Sequence, residues 1–234
     1  MARISLIEDL TSGPIPPGSN INVEFEPASQ WYNASLTIAA GWIRTGGGVS
    51  YNTFAQPPAT VRAQLDRLGV NTEELEAKDQ LRIWDWYTAS LGQKSKEKYA
   101  IDSLKAADLS IVHAKTQLPG PSIPHRLRIS DNASALGRFN DEKSWTEFVL
   151  TRGIPIAVSR QSTSVAGIMT GVHSDWVYKQ IEGASDGTVD FKLDEATKGE
   201  TVDVMRIRNL RNTSFTKGWH RLKIGDNLEV TLEK

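Results

Sequence analysis

The chain has 234 residues, 24% of them charged, and a formal net charge of −1, which suits one globular α/β domain with a sizeable core. The balanced charge gives no global pull toward nucleic acid or an anionic membrane, and the lack of cysteine excludes disulfides and thiolate zinc sites. No stretch approaches the roughly 20 apolar residues of a membrane helix, and the start, MARISLIEDLTSG, sets acidic residues within its apolar run, unlike a signal peptide. A cytoplasmic protein is therefore expected, and the N-x-[ST] matches at Asn33, Asn132 and Asn212 are chance.

In chain order, residues 4–10 predict a short amphipathic helix, followed by a Pro- and Gly-rich turn over 13–18. Residues 20–25, NINVEF, alternate and give the first strand. Glu26 to Ser29 form a turn, because Pro27 disfavours helix for the residue before it. Ser29 is the expected cap of a long helix carrying Trp31, Ala34, Leu36, Ile38 and Ala39. Gly46 to Gly48 stop that helix, and 49–54 is a second strand. Pro57 and Pro58 open a helix to about Leu68, with Val61, Leu65 and Leu68 on one face, and 73–76 add a turn.

Residues 81–87, LRIWDWY, predict a third strand. The loop 92–98, GQKSKEK, is either a solvated basic tip or a contact for phosphate or an acidic partner. A helix over 104–116, capped near Ser103 or Asp108, precedes a Pro-rich loop at 118–124. The fourth strand is 126–130, ending at Asp131, and 141–160 is a helix with a break near Pro155. Residues 165–172 form the fifth strand, and Ser174 or Asp175 caps a helix to about Gly183. The segments 188–193, 202–210, 220–224 and 228–232 are strands with short turns, which favours antiparallel pairing. Some 185 residues of alternating strand and helix imply a mostly parallel sheet with helices on both faces, within a single domain over 1–234.

The first strand, turn and helix stand where a phosphate-binding loop would sit, but that loop needs G-x-x-x-x-G-K-[ST]. In that register Phe25 and Gln30 replace the glycines, Trp31 the Lys and Tyr32 the hydroxyl residue. The glycines let backbone N–H groups wrap a phosphate, the Lys neutralises it and the hydroxyl binds Mg²⁺. Read from these residues alone, the segment is a plain β–α turn. His173-Ser174-Asp175 holds the residue types of a hydrolase triad, but adjacent residues cannot adopt its geometry, and a helix cap is the better reading. His113, His125, His173 and His220 show no metal-ligand spacing. Of the seven tryptophans, Trp31, Trp84 and Trp86 are either core or the lining of a binding face.

Several stretches together resemble KaiC, a RecA-like P-loop ATPase family, over nearly the whole chain. The tail 209–219, NLRNTSFTKGW, resembles the family's K-L-R-G-T-S-x-x-K-G, and Gly187-Thr188-Val189-Asp190 the D-G-V-I strand before it. Gly13 to Gly18 resembles the turn preceding the KaiC phosphate loop, and Glu24 to Ser29 resembles E-G-E-P-G-S at its start. Phe54 to Pro58 stands where the family has F-E-E-T-P, and Ser130-Asp131-Asn132 where it has I-D-S. The chain looks most like the archaeal KaiC-like group that includes recombinase paralogues.

The resemblance implies a RecA-like fold and a phosphate loop that has lost its function at Phe25, Pro27, Ala28, Ser29, Gln30, Trp31 and Tyr32. The family's paired glutamates, which polarise the attacking water, fall on Ala55 and Gln56, and neither is a base. The strand-end Asp that holds Mg²⁺ indirectly falls on Asp131 and is kept, although Arg128 and Ser130 interrupt the apolar strand before it. The tail Lys that reaches a neighbouring subunit's nucleotide falls on Asn209, and the Arg two residues later on Arg211, which is kept. The resemblance thus implies a pseudo-ATPase without cofactor or metal, acting as a binding or regulatory module with a protein partner or copies of itself. Two alternatives stay open: an ATPase binding ATP and Mg²⁺ at an unorthodox site, with GQKSKEK as the loop for its phosphates, and a recombination accessory protein that binds single-stranded DNA.

Overall fold

The structure is a computed structural model and describes residues 3–115, 126–159, 162–195 and 200–233. The loop expected at 118–124 and His125 lie outside the described residues. The strands are β1 (Asn20–Phe25), β2 (Gly48–Thr53), β3 (Leu81–Asp85), β4 (Tyr99–Ala100), β5 (Arg126–Ser130), β6 (Thr163–Met169), β7 (Gly187–Glu195), β8 (Thr201–Leu210), β9 (His220–Ile224) and β10 (Val230–Leu232). The helices are α1 (Trp31–Arg44), α2 (Pro58–Arg67), α3 (Thr72–Ala77), α4 (Tyr87–Ser90), α5 (Ala106–Lys115), α6 (Glu142–Phe148), α7 (Ile154–Ser159) and α8 (Asp175–Ala184). Among the described residues no helix is long and apolar enough to cross a membrane.

The strands form one sheet in the order β10-β9-β8-β7-β1-β6-β5-β2-β3-β4. From β7 to β4 all neighbours are parallel, and β8 to β10 extend the sheet antiparallel. The antiparallel pairing expected of the strands from residue 188 onward is present in β7–β8, β8–β9 and β9–β10, and β7 in addition pairs parallel with β1. The helix α8 supplies the crossover that a parallel connection from β6 needs. All six residues of β1 are buried, because helices cover both faces of the sheet. Ile21, Val23 and Phe25 join a core with Val49, Tyr51, Ile129, Val165 and α1. A second core on the other side holds Phe54, Trp86, Trp145, Phe148 and residues of α5 and α8.

Side chains overrule several local expectations. Residues 4–10 contain only a 3₁₀ turn at Glu8–Leu10, and Leu6 takes φ 66°. The buried Glu8 carboxylate accepts from the N–H groups of Ile4 and Ile15, and Asp9 accepts from Leu6, which replaces helix bonds. Ser29 is not the cap of α1: Gln30 occupies that position, and the Ser29 hydroxyl donates to Glu26 O at 2.7 Å. The third strand ends at Asp85 because Trp86 and Tyr87 turn into α4, and the two-residue β4 had no sequence signature. The expected helix over 141–160 is opened by a π segment at Val149–Gly153. There the Ile154 N–H reaches back to Val149 O, one residue before Pro155, whose missing N–H cannot continue α-type bonding. Strand β6 starts two residues early and gives way to a turn at Thr170.

The loop 92–98 is tied down by its own side chains. Ser95 donates to Asp85 at 2.6 Å, and Glu97 pairs with Arg62, which also holds Glu76.

Candidate functional site: the crevice at the strand ends

The parallel strands place the ends of β1, β2, β5 and β6 side by side, so the turns that follow them meet in one crevice. In open α/β sheets this is where ligands bind. The turn after β1 is compact. Its Glu26 N–H donates to Phe191 O at 2.9 Å and its Ser29 N–H to Glu26 O at 3.0 Å. Pro27 and Ala28 are exposed, Ser29 is buried and Gln30 is half-buried. This is a chain reversal closed on itself, not a ring of N–H groups around a phosphate.

Trp31 fills the crevice. It is fully buried, with its ring 6.1 Å from Phe25 and 5.4 Å from Phe191. Its Nε1–H donates to the main-chain carbonyl of Asp131 at 2.6 Å. Gly167 of β6 makes room for this contact. A Cβ there would lie 2.2 Å from Trp31 Nε1 and 2.6 Å from Asp131 O. Thus the position matching the loop's Lys holds an indole locked between strand ends. Tyr32, at the position of the Mg²⁺ hydroxyl, packs edge-on to Phe25 at 5.4 Å and accepts from Asn132 Nδ2 at 3.2 Å. Burial, with the Asp131 charge second, raises its phenol to about 12.

Asp131 is fully buried and holds the turn after β2. Its carboxylate accepts from Phe54 N at 2.8 Å and Ala55 N at 3.3 Å. Burial pushes its pKa up to about 7 against these bonds. Thr53 Oγ1 lies 3.3 Å from Asp131 Oδ2 but already donates to Gln56 O at 2.5 Å. A hydroxyl has one proton, so a protonated Asp131 donating to Thr53 satisfies both contacts. Asp131 serves as a clamp on the loop that carries Ala55 and Gln56. Ala55 is exposed, and Gln56 Nε2 donates to Gln64 Oε1 at 3.2 Å.

The structure therefore gathers the turn at 25–32, Ala55, Gln56 and Asp131 at one end of the sheet. Asn209 and Arg211 lie at the other end, since Leu210 pairs with Gly187 beside Ile21. Asn209 Nδ2 donates to Glu182 Oε1 at 2.9 Å, and the exposed Arg211 donates to Gly183 O at 2.8 Å. On its outer side β8 pairs with β9 at Val204 and Met205. Of the other tryptophans, Trp86 stacks on Phe54 at 4.8 Å in the second core, and Trp84 lies against Tyr99 at 5.3 Å. Ser174 precedes α8 and donates to Glu142 from both its N–H and hydroxyl, while His173 stacks on Trp145 at 4.4 Å, so these residues form a helix junction.

Two features escaped the sequence. Gly167 announced itself only as a glycine inside a strand, which marks close approach without naming the neighbour. The second is an ion cluster in which Glu24 and Asp190 face each other in register. Arg208 bridges them, reaching Glu24 Oε2 at 2.7 Å and Asp190, and Arg206 adds a bond to Asp190 Oδ2 at 2.6 Å. Burial raises the Glu24 pKa, opposed by Arg208.

No family model matches the sequence, and no curated protein is significantly similar to it. Among solved structures, a KaiC-like protein from the hyperthermophilic archaeon Pyrococcus horikoshii superimposes with a TM-score of 0.69 and 15% identity, over 100% of this chain and 97% of that one. The chain thus has the fold of a KaiC-like protein, a mostly parallel RecA-like α/β sheet finished by antiparallel strands.

Proposed function

We propose that this chain is a pseudo-ATPase, a KaiC-like domain that keeps the fold and acts as a non-catalytic binding or regulatory module. The observation that carries this reading is the Trp31 indole, buried where the loop pattern has its Lys and donating to Asp131. Expelling it would break that bond and open the aromatic cluster with Phe25 and Phe191. The replaced groups are the ones that stabilise phosphate charge, and losing one such group costs about 10²–10³ in rate. Ala55 and Gln56 supply no base, and Asp131 is spent on Phe54 and Ala55.

Such a module works through its surfaces in the cytoplasm, on a protein partner or on copies of itself. Exposed Arg211 at the end of β8 is the natural place for a neighbour. A phosphate-release assay tests the reading: MgATP turnover should stay at the level of protein-free buffer, with or without single-stranded DNA. Turnover that falls when Asp131 becomes Asn would overturn it and favour an ATPase with an unorthodox site.

A further inference from the structure

The sheet face turned away from α1 carries polar groups where a parallel sheet buried on both sides is normally apolar. One register row across it holds Asn22 of β1, Ala166 of β6, Ser130 of β5 and Asn52 of β2. Its hydrogen bonds run in one direction. Trp86 Nε1 donates to Asn52 Oδ1 at 3.0 Å. Asn52 Nδ2 donates to Ile129 O at 3.0 Å and to Ser130 Oγ at 3.2 Å. At the far end, Asn22 Nδ2 donates to Glu24 Oε1 at 3.4 Å. Between Ser130 and Asn22 the row is interrupted at Ala166, whose methyl neither donates nor accepts.

The interruption opens into a cavity of about 80 Å³ lined by Asn22, Ser130 and Ala166. Its roof is apolar, built from Phe148, Val149 and Ile154 with Ile181 of α8, and it includes part of the π segment Val149–Gly153, a distortion that recurs at functional sites. Asn22 is only 2% exposed, and its Oδ1 has no hydrogen-bond partner. Such buried acceptors are seldom left unmade. The Ser130 hydroxyl has the complementary need, since its oxygen accepts from Asn52 and its proton is left to donate. The gap therefore calls for a group that accepts on the Ser130 side and donates on the Asn22 side. Strands β1 and β5 are two strand spacings apart, about 9.6 Å. A primary carboxamide, with oxygen and nitrogen at opposite ends of one planar head, spans more of that distance than a single water does. Arg128 also lines the cavity, but it already has a partner and takes no part.

From this geometry we infer that the cavity binds a small neutral aliphatic carboxamide. The ligand's C=O accepts from the Ser130 hydroxyl, its N–H donates to Asn22 Oδ1, and its alkyl part lies under Val149 and Ile154. The bound amide completes the chain of hydrogen bonds that runs from Trp86 to Glu24. A carboxylate would set acceptor against acceptor at Asn22 Oδ1. The site lies across the sheet from Trp31 and is independent of the nucleotide question.

Titration of the full chain with isobutyramide, followed by nuclear magnetic resonance, tests this. The amide should bind at roughly 1–10 mM, as suits so few atoms, and the Asn22 side-chain amide signal should shift with it. Isobutyrate, and N,N-dimethylisobutyramide, which keeps the acceptor but has no donor, should each bind at least tenfold more weakly. Ser130→Ala should weaken isobutyramide about fivefold, as suits one lost hydrogen bond. Ala166→Leu fills the gap and should abolish binding while the melting temperature holds or rises. The three ligands on the wild-type chain keep the question decidable where a variant fails to fold. No binding of isobutyramide to the wild-type chain, equal binding of the acid or the dimethyl amide, or binding that survives Ala166→Leu would overturn the inference.

Discussion

The Trp31 indole nitrogen and the Asp131 carbonyl, 100 residues apart in sequence, are joined by a 2.6 Å hydrogen bond that closes the crevice between the ends of β1 and β5. This bond exists because β6 presents Gly167 beneath it.

Gly167→Ala is expected to cost about 1–3 kcal/mol, since its methyl would meet backbone as well as the indole and neither can step aside cheaply. Trp31→Phe removes the nitrogen but leaves the Asp131 carbonyl, so the same substitution in that background should cost less, though not nothing. Guanidinium denaturation of the four proteins in the cycle reads the coupling. Strict additivity would mean that Gly167 and Trp31 do not share this space.

The Asp131 carboxyl titrates near 7 in the folded chain, above its ordinary value of 3.8. Between those values the folded state holds a proton that the unfolded state releases. Its contribution to stability is therefore fully present below about pH 4, declines as pH rises, and is gone above about pH 7. Asp131→Asn removes the titration. Unfolding free energies at pH 5 and pH 8 should fall less in the variant than in the parent, with a difference of up to roughly 1.4 kcal/mol per pH unit. Parallel pH profiles would show that Asp131 stays ionised.

Arg208→Met leaves Glu24 and Asp190 facing each other unbridged, with only Arg206 on Asp190. The expected loss is about 1–2 kcal/mol, below that for a fully buried pair because the Arg208 side chain is 32% exposed. Adding Glu24→Gln should recover part of it. Denaturation midpoints for the single and double variants decide the matter, and a double variant less stable than Arg208→Met alone would contradict this reading of the cluster.

Assembly through the Arg211 end of the sheet predicts a concentration-dependent mass or a stable complex with a partner protein. Arg211→Glu should weaken either while changing stability by less than about 0.5 kcal/mol, as suits an exposed side chain. Light scattering that shows a strict monomer at high concentration, together with no captured partner, removes the basis for this face.

Much of the frame was legible from residues alone. Strands β1 and β5 have the expected bounds, because alternation between Pro, Gly and Asp boundaries fixes both ends. Helix α2 begins at Pro58 as its Pro pair predicts. What stayed hidden depends on partners distant in sequence. Glu8 melts a helix-like pattern because its carboxylate reaches the Ile15 N–H, seven residues on. The direction of β7 is set by its place beside β1, which no local pattern encodes. At the site, the replaced loop residues were visible one by one, but that Trp31 is an inserted plug rather than a surface ring follows only from Gly167 and Asp131.

Titration calorimetry with MgATP tests the central claim most directly. A crevice filled by Trp31, without loop glycines or Lys, predicts no binding tighter than roughly millimolar, about 4 kcal/mol. The fluorescence of Trp31, compared between the parent and Trp31→Phe, should likewise not respond to nucleotide. Micromolar MgATP binding accompanied by a Trp31 signal would show that the indole yields to a nucleotide and would contradict the pseudo-ATPase reading.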